Sequence, residues 1–131
     1  MKKIIALVAV LFGVALLAGC GSSSGGVQTA DPQTFLSTAK QPGVVTIDVR
    51  TPPEYAAGHV DGAINIDVEA PTFDSEIAKL DKNTTYTVYC HSGRRSGIAT
   101  DAMSKAGFTH VIDLQGGFPD LVNAGAAVVT S

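Results

Sequence analysis

From Val27 onward, short runs of β-branched and apolar residues alternate with stretches of helical pattern, and this alternation is the strongest constraint on the fold. Parallel strands cannot be joined by tight turns and need crossovers, so a chain that keeps changing from strand to helix builds an α/β domain around a mostly parallel sheet. Residues 44–49, 63–66, 85–89 and 111–114 read as strands, with Val128-Val129 as a last edge strand. Asp31 caps a helix that opens at Pro32 and runs through Lys40, and Gly43 helps to stop it. A short helix at 54–57 follows Pro52-Pro53, Thr72 caps a helix running to Leu80, and another short helix covers 119–123. Residues 97–106 form an amphipathic helix with Ile98, Ala99, Ala102, Met103 and Ala106 on one face and Asp101, Ser104 and Lys105 on the other; Gly107 ends it. A chain of 131 residues has room for one such domain and no second.

The residues before Val27 are a different object. Mean hydropathy is +0.24 with only 16% charged residues, and the apolar excess is local: residues 4–19 carry no charge. They follow Met1-Lys2-Lys3, a positive n-region, in the layout of a secretory signal, and sixteen residues fall short of the ~20 that span a bilayer as a helix. Leu17-Ala18-Gly19-Cys20 resembles the bacterial lipoprotein lipobox, which implies acylation of Cys20 and cleavage before it. Two or more acyl chains anchor stably where one is marginal. The Gly/Ser stretch that follows, which reads as a flexible tether, divides the chain into a removed signal (1–19), a lipidated cysteine with its tether (20–26) and a folded domain (27–131). The expectation is an exported domain, lipid-anchored to a bacterial membrane and facing the periplasm or cell exterior. Without residues 1–19 the body has 7 basic against 12 acidic residues and a net charge of −5, which argues against nucleic acid or a phospholipid surface as its partner; the membrane is met through the anchor alone.

Chemistry concentrates in Cys90-His91-Ser92-Gly93-Arg94-Arg95-Ser96, between a strand and a helix. Open α/β sheets place their ligands at the carboxyl ends of strands. Backbone N–H groups of such a loop form an anion nest, and the helix N-terminus adds positive potential that favours a cysteine thiolate. Gly93 permits the tight turn and Ser96 is a candidate cap. The bland alternative, a small buried hydrophobe ending a strand, is the commoner fate of a cysteine. Two features weigh against it. Once Cys20 is lipidated, Cys90 is the sole remaining thiol and has no disulfide partner, and Arg94-Arg95 is the only pair of adjacent cations in an acidic body. His59, His91 and His110 lack metal-ligand spacing and no nucleotide-binding Gly-rich loop is present, so neither metal nor cofactor is expected.

The loop CHSGRRS, with IDVRTPPEYAAGHVDGAINI (47–66) and LQGGFPDLVNAGAAV (114–128), resembles a single-domain rhodanese, a thiosulfate or persulfide sulfurtransferase. The resemblance covers nearly all of residues 27–129 and implies a mainly parallel five-stranded sheet with helices on both faces. It makes Cys90 the persulfide carrier, with the amides of His91, Ser92, Gly93, Arg94, Arg95 and Ser96 around the outer sulfur. Arg95 matches a loop-closing basic residue, and Arg94 is a second candidate for the anionic part of the donor. Asp48, Arg50, Glu54 and His59 match the first motif as structural support, with Arg50 and Glu54 read as an ion pair across the Pro-Pro turn. Phe118 stands near a position where tryptophan is common, and Asp61 where proline is common.

The implied reaction takes sulfur from a small anionic donor, thiosulfate or a persulfide, and passes it to a thiol or cyanide, by a monomer. One rival is a cysteine phosphatase or arsenate reductase, but those enzymes place arginine six positions after the cysteine, where this chain has Ser96. Another is a tethered sulfur carrier that uses the same persulfide without turnover.

Overall fold

A computed structural model describes residues 26–131. The signal segment, the lipidation at Cys20 and, apart from Gly26, the tether lie outside the described residues. In chain order the elements are β1 (Val27–Ala30), α1 (Pro32–Ala39), β2 (Val45–Asp48), α2 (Pro52–Ala57), β3 (His59–Val60), β4 (Ile64–Asn65), α3 (Phe73–Ile77), β5 (Thr85–Tyr89), α4 (Arg94–Lys105), β6 (His110–Leu114), α5 (Phe118–Asn123) and β7 (Val128–Val129). Five strands form one parallel sheet in the order β1-β6-β5-β2-β4, while β3 and β7 pair antiparallel on their own.

Side chains alternate across the sheet, and the alternation sorts the core into two layers. Ile47 and Val49 around β2, and Tyr86, Val88 and Cys90 along and just after β5, join Phe73 and Ile77 of α3 and Ala99 and Met103 of α4. Tyr89, one residue out of phase, packs on the opposite face with Phe35 and Leu36 of α1, Leu114 of β6 and Leu121 of α5. Helices therefore cover both faces, as the family resemblance implies. Asp31 caps α1 as expected, its Oδ1 accepting the Thr34 N–H at 2.7 Å, with Pro32 in the first turn.

Four expectations need correction. The fifth strand of the sheet is β1, not Val128-Val129: Gln28 and Thr29 break the apolar run, yet β1 pairs in register with β6. Val128-Val129 instead pairs with His59-Val60, leaving both valines exposed. Helix α4 opens at Arg94 rather than Gly97, which makes Gly93 the N-cap and puts Ser96 inside the first turn, where its hydroxyl donates to the Gly93 carbonyl at 3.1 Å. The same helix turns Ala99 and Met103 to the sheet and leaves Ile98 54% exposed and Ala106 exposed, a narrower buried stripe than the apolar pattern suggests.

On the α1/α5 face a buried polar cluster ties β2 to the loops around it. Asp48 is fully buried and Arg50 is 3% exposed. Arg50 Nη2 donates to Asp48 Oδ2 at 2.7 Å and to the Gly58 carbonyl at 2.6 Å, while Nε reaches both carboxylate oxygens at 3.1 and 3.0 Å. The Tyr89 hydroxyl donates to Asp48 Oδ2 at 2.8 Å and accepts the Val60 N–H at 3.0 Å. Burial, reinforced by the Asp48 charge, pushes that phenol far above its usual range, so it stays protonated and donating. Phe118 lies with its ring 4.3 Å from the guanidinium, a cation–π platform. The expected Arg50–Glu54 pair does not form, because Arg50 folds back onto Asp48 and Glu54 turns the other way. Removing one partner of a buried ion pair strands the other charge, at a cost of about 3–5 kcal/mol. Asp48→Ala should therefore lower the midpoint of a thermal melt by more than about 10 °C; a shift of a degree or two would show that the cluster does not hold the fold.

Candidate active site

The loop after β5 is shaped by backbone contacts. Gly93 has φ +97°, a left-handed conformation that side-chain-bearing residues rarely adopt, and this turns the chain into α4. The turn directs the Gly93 N–H at Cys90 Sγ, 3.0 Å away. Cys90 is fully buried and unpaired by disulfide, while His91 and Ser92 are exposed. On the far side of the loop, the Phe118 N–H donates to the Cys90 carbonyl at 2.9 Å. Gly117 lies so close to the His91 carbonyl and the Ser92 nitrogen that no Cβ fits there. Asp120 holds this second turn by accepting the Gly117 N–H at 2.8 Å.

Arg95 reaches from the first turn of α4 to Glu54 on α2. Its Nη1 donates to Glu54 Oε1 at 2.7 Å and its Nη2 to Oε2 at 3.0 Å, a bidentate pair, with Glu69 Oε1 at 3.6 Å. The Thr51 hydroxyl and amide donate to the same Glu54 Oε1, at 2.9 and 3.3 Å. Hydrogen bonds from Arg95 above all, and then from Thr51, hold the Glu54 carboxyl down at about 2. Arg95 in turn is raised, chiefly by Glu54, and a charge on the Cys90 sulfur adds to the effect. Arg94 is exposed and makes no ion pair among the described residues.

The structure thus brings together Cys90, His91, Ser92, Gly93, Arg94, Arg95, Ser96 and Glu54. Asp48 and Arg50 stand one layer behind. His59 is buried on β3, where its Nδ1 donates to the Tyr55 carbonyl at 2.8 Å and its ring stacks on Tyr55 at 3.6 Å between centroids. These two contacts hold α2 to β3, and neither reaches the loop. Asp61 is exposed in the turn after β3. Beside the loop, Val68, Glu69, Arg94, Arg95 and Ile98 line a cavity of about 290 Å³ that sequence reasoning missed; an isoleucine four residues after an arginine on one helix was the available signal. Among the described residues no cluster of His, Cys, Asp and Glu could hold a metal.

Comparison with known proteins agrees with this arrangement. The model of the rhodanese-like domain matches residues 31–124. Thiosulfate sulfurtransferase PspE of Escherichia coli is 45% identical over 75 residues, 57% of this chain and 71% of its own length. Thiosulfate sulfurtransferase GlpE of Pseudomonas putida is 34% identical over 87 residues, 66% of this chain and 77% of its own. Among solved structures, a rhodanese with anions from E. coli superposes with a TM-score of 0.56 at 40% identity, over 67% of this chain and 99% of that one. With a family match across α1 to α5 and a sheet of the expected topology, the chain belongs to the rhodanese-like domain family.

Proposed function

We propose that the protein is a sulfurtransferase that moves a sulfane sulfur from thiosulfate or a related donor to a thiol or cyanide through a persulfide on Cys90. The observation that carries this reading is the Gly93 N–H held 3.0 Å from Cys90 Sγ at the mouth of a loop with two arginines. In the first half-reaction the Cys90 thiolate attacks the outer sulfur of thiosulfate, the S–S bond of the donor breaks, and sulfite leaves with the electron pair. Loop amides and the arginines stabilise the charge that develops on the departing group. In the second, cyanide or a thiolate attacks the outer persulfide sulfur and the Cys90 thiolate is released. The names of the curated relatives, both thiosulfate sulfurtransferases, support the same activity. We further propose that the protein is exported and held to a membrane by lipid on Cys20, a reading supported by the lipobox-like Leu17-Ala18-Gly19-Cys20.

Incubated with thiosulfate, the full chain should gain the mass of one sulfur and then yield thiocyanate on addition of cyanide, whereas Cys90→Ser should do neither; a wild type that gains no sulfur but hydrolyses an aryl phosphate would overturn the assignment. Arg95→Ala should cut kcat/KM for thiosulfate at least tenfold while moving the melting midpoint by only a few degrees, since a partly exposed ion pair contributes about 0–1 kcal/mol. With the Glu54 carboxyl depressed to about 2, the pair's contribution to stability is in place above the ordinary carboxylate range and fades only as pH falls from about 4.5 towards 2. Turnover between pH 5 and 9 should therefore carry no Glu54 titration. Finally, cells expressing the wild type should incorporate labelled palmitate into the protein and Cys20→Ala should not; equal labelling of the two would remove the anchor.

A further inference from the structure

Behind the cysteine loop, where α4 packs on β6, one carboxyl is not satisfied. Asp113 is partly buried, and its Oδ1 is the one buried side-chain nitrogen or oxygen without a hydrogen-bond partner among the described residues. A buried acceptor left without a donor is costly, and most so when it carries charge. The group beside it is the hydroxyl of Ser96, which is wholly buried in the first turn of α4. That hydroxyl has a single proton and gives it to the Gly93 carbonyl at 3.1 Å. The bond matters to the turn, because the helical bond to the same carbonyl, from the Gly97 N–H, is stretched to 3.4 Å. On its other side Gly93 holds Cys90 Sγ with its own N–H at 3.0 Å. A continuous path of adjacent polar groups thus runs from Asp113 through Ser96 and Gly93 to the sulfur.

We propose that Asp113 is a positioning residue of the cysteine loop, its proton setting, through the Ser96 hydroxyl, whether the Gly93 turn is held. With the proton in place, the Asp113 carboxyl donates to Ser96 Oγ and the serine proton stays on the Gly93 carbonyl, so every group has a partner. When the proton leaves for water in the cavity of about 190 Å³ that Asp113 shares with Gly97, Thr100 and Asp101, the carboxylate becomes the stronger acceptor. The serine hydroxyl then turns to it and the Gly93 carbonyl loses that donor. Burial pushes the Asp113 carboxyl above its usual range, and the Ser96 hydroxyl works against this to a smaller extent. The folded state therefore favours the acid form, and that contribution is lost as pH rises through the raised value. Few other charges intervene. Asp101 on the cavity wall is held by Lys105 at 2.9 Å, Thr29 of β1 and Val88 of β5 flank Asp113 in register, and Tyr86 and Cys90 lie on the α4 face of β5. The effect on rate rests on the persulfide reading of Cys90, whereas the effect on Gly93 does not.

The test is a carbon-13 NMR titration of the full chain from about pH 4 to about pH 8, read at the Asp113 carboxyl and the Gly93 carbonyl. In the wild type both signals should share one inflection, above the ordinary aspartate range. In Asp113→Asn, whose amide donates to Ser96 Oγ at every pH, the Gly93 signal should stay at its acid position. In Ser96→Ala, Asp113 should still titrate and Gly93 should no longer follow. With thiosulfate and cyanide, kcat/KM of Asp113→Asn relative to wild type should be about one below the inflection and about threefold above it, the scale of one hydrogen bond. That rise should vanish when both chains also carry Ser96→Ala. A Gly93 signal that ignores Asp113, or that follows it equally in Ser96→Ala, overturns the proposal, and these two titrations decide even if Asp113→Asn does not fold. A ratio that stays at one in an enzyme that does load sulfur overturns it too and leaves the sulfurtransferase reading intact. If no donor loads sulfur, that parent reading fails and the Gly93 titration alone judges Asp113.

Discussion

The site depends on two turns pressed together without side chains between them. The carboxyl ends of the neighbouring strands β5 and β6 lead into loops whose backbones touch: Phe118 donates to the Cys90 carbonyl, Gly117 abuts His91, and a Cβ on Gly93 would stand 3.1 Å from the Gly116 carbonyl oxygen, closer than ordinary van der Waals contact. Close packing of backbone on backbone leaves little freedom on either side. It positions the Gly93 N–H that faces the sulfur and starts α4 where Arg94 and Arg95 emerge from adjacent positions. It also brings the Phe118 ring to the Arg50 guanidinium. A shift in one turn would be felt at Cys90 and by the buried ion pair behind it.

Electrostatics then divides the cations by task. Arg50 is satisfied by Asp48 and a carbonyl inside the fold, Arg95 is satisfied by Glu54 at the edge of the loop, and Arg94 is exposed and in no ion pair among the described residues. Three arginines that are chemically identical thus have different consequences. The first holds the sheet to its loops, the second joins α2 to α4, and the third faces solvent beside the loop. Guanidinium suits the first two positions because its planar fork can meet a carboxylate with two donors, which an ammonium cannot do.

Much of this was legible in the residues, and what was not has a physical cause. Strand β5 and the loop after it could be read because an apolar β-branched run ends at Cys90 and a glycine stands where the chain must turn with positive φ. The caps of α1 were equally plain in Asp31-Pro32. Strand β1 was hidden because it lies at the sheet edge, where polar Gln28 and Thr29 cost nothing. The mispairing of Arg50 with Glu54 came from sequence spacing, which gives separation along the chain but not the direction in which a long side chain folds back. The exposure of Ile98 was concealed for a similar reason: an apolar stripe shows that a helix has a buried face but not how wide the sheet beneath it is. The groove beside the loop is made by α4 and the distant Val68-Glu69 segment, and local pattern carries no record of such a meeting.

The alternation of side chains across the sheet has a thermodynamic consequence. Cys90 belongs to the layer with Met103 and Ala99, whereas Tyr89, Asp48 and Arg50 belong to the other, so neighbouring residues in sequence report on separate environments. Substitutions in the two layers share no side-chain partners except through the backbone turns at the carboxyl edge. Their free energies should add, as they do for independent sites, and any coupling that survives in a double-mutant cycle measures how stiffly the paired turns transmit strain from one layer to the other. The sheet is in that sense a partition with one opening, and the opening lies at Cys90.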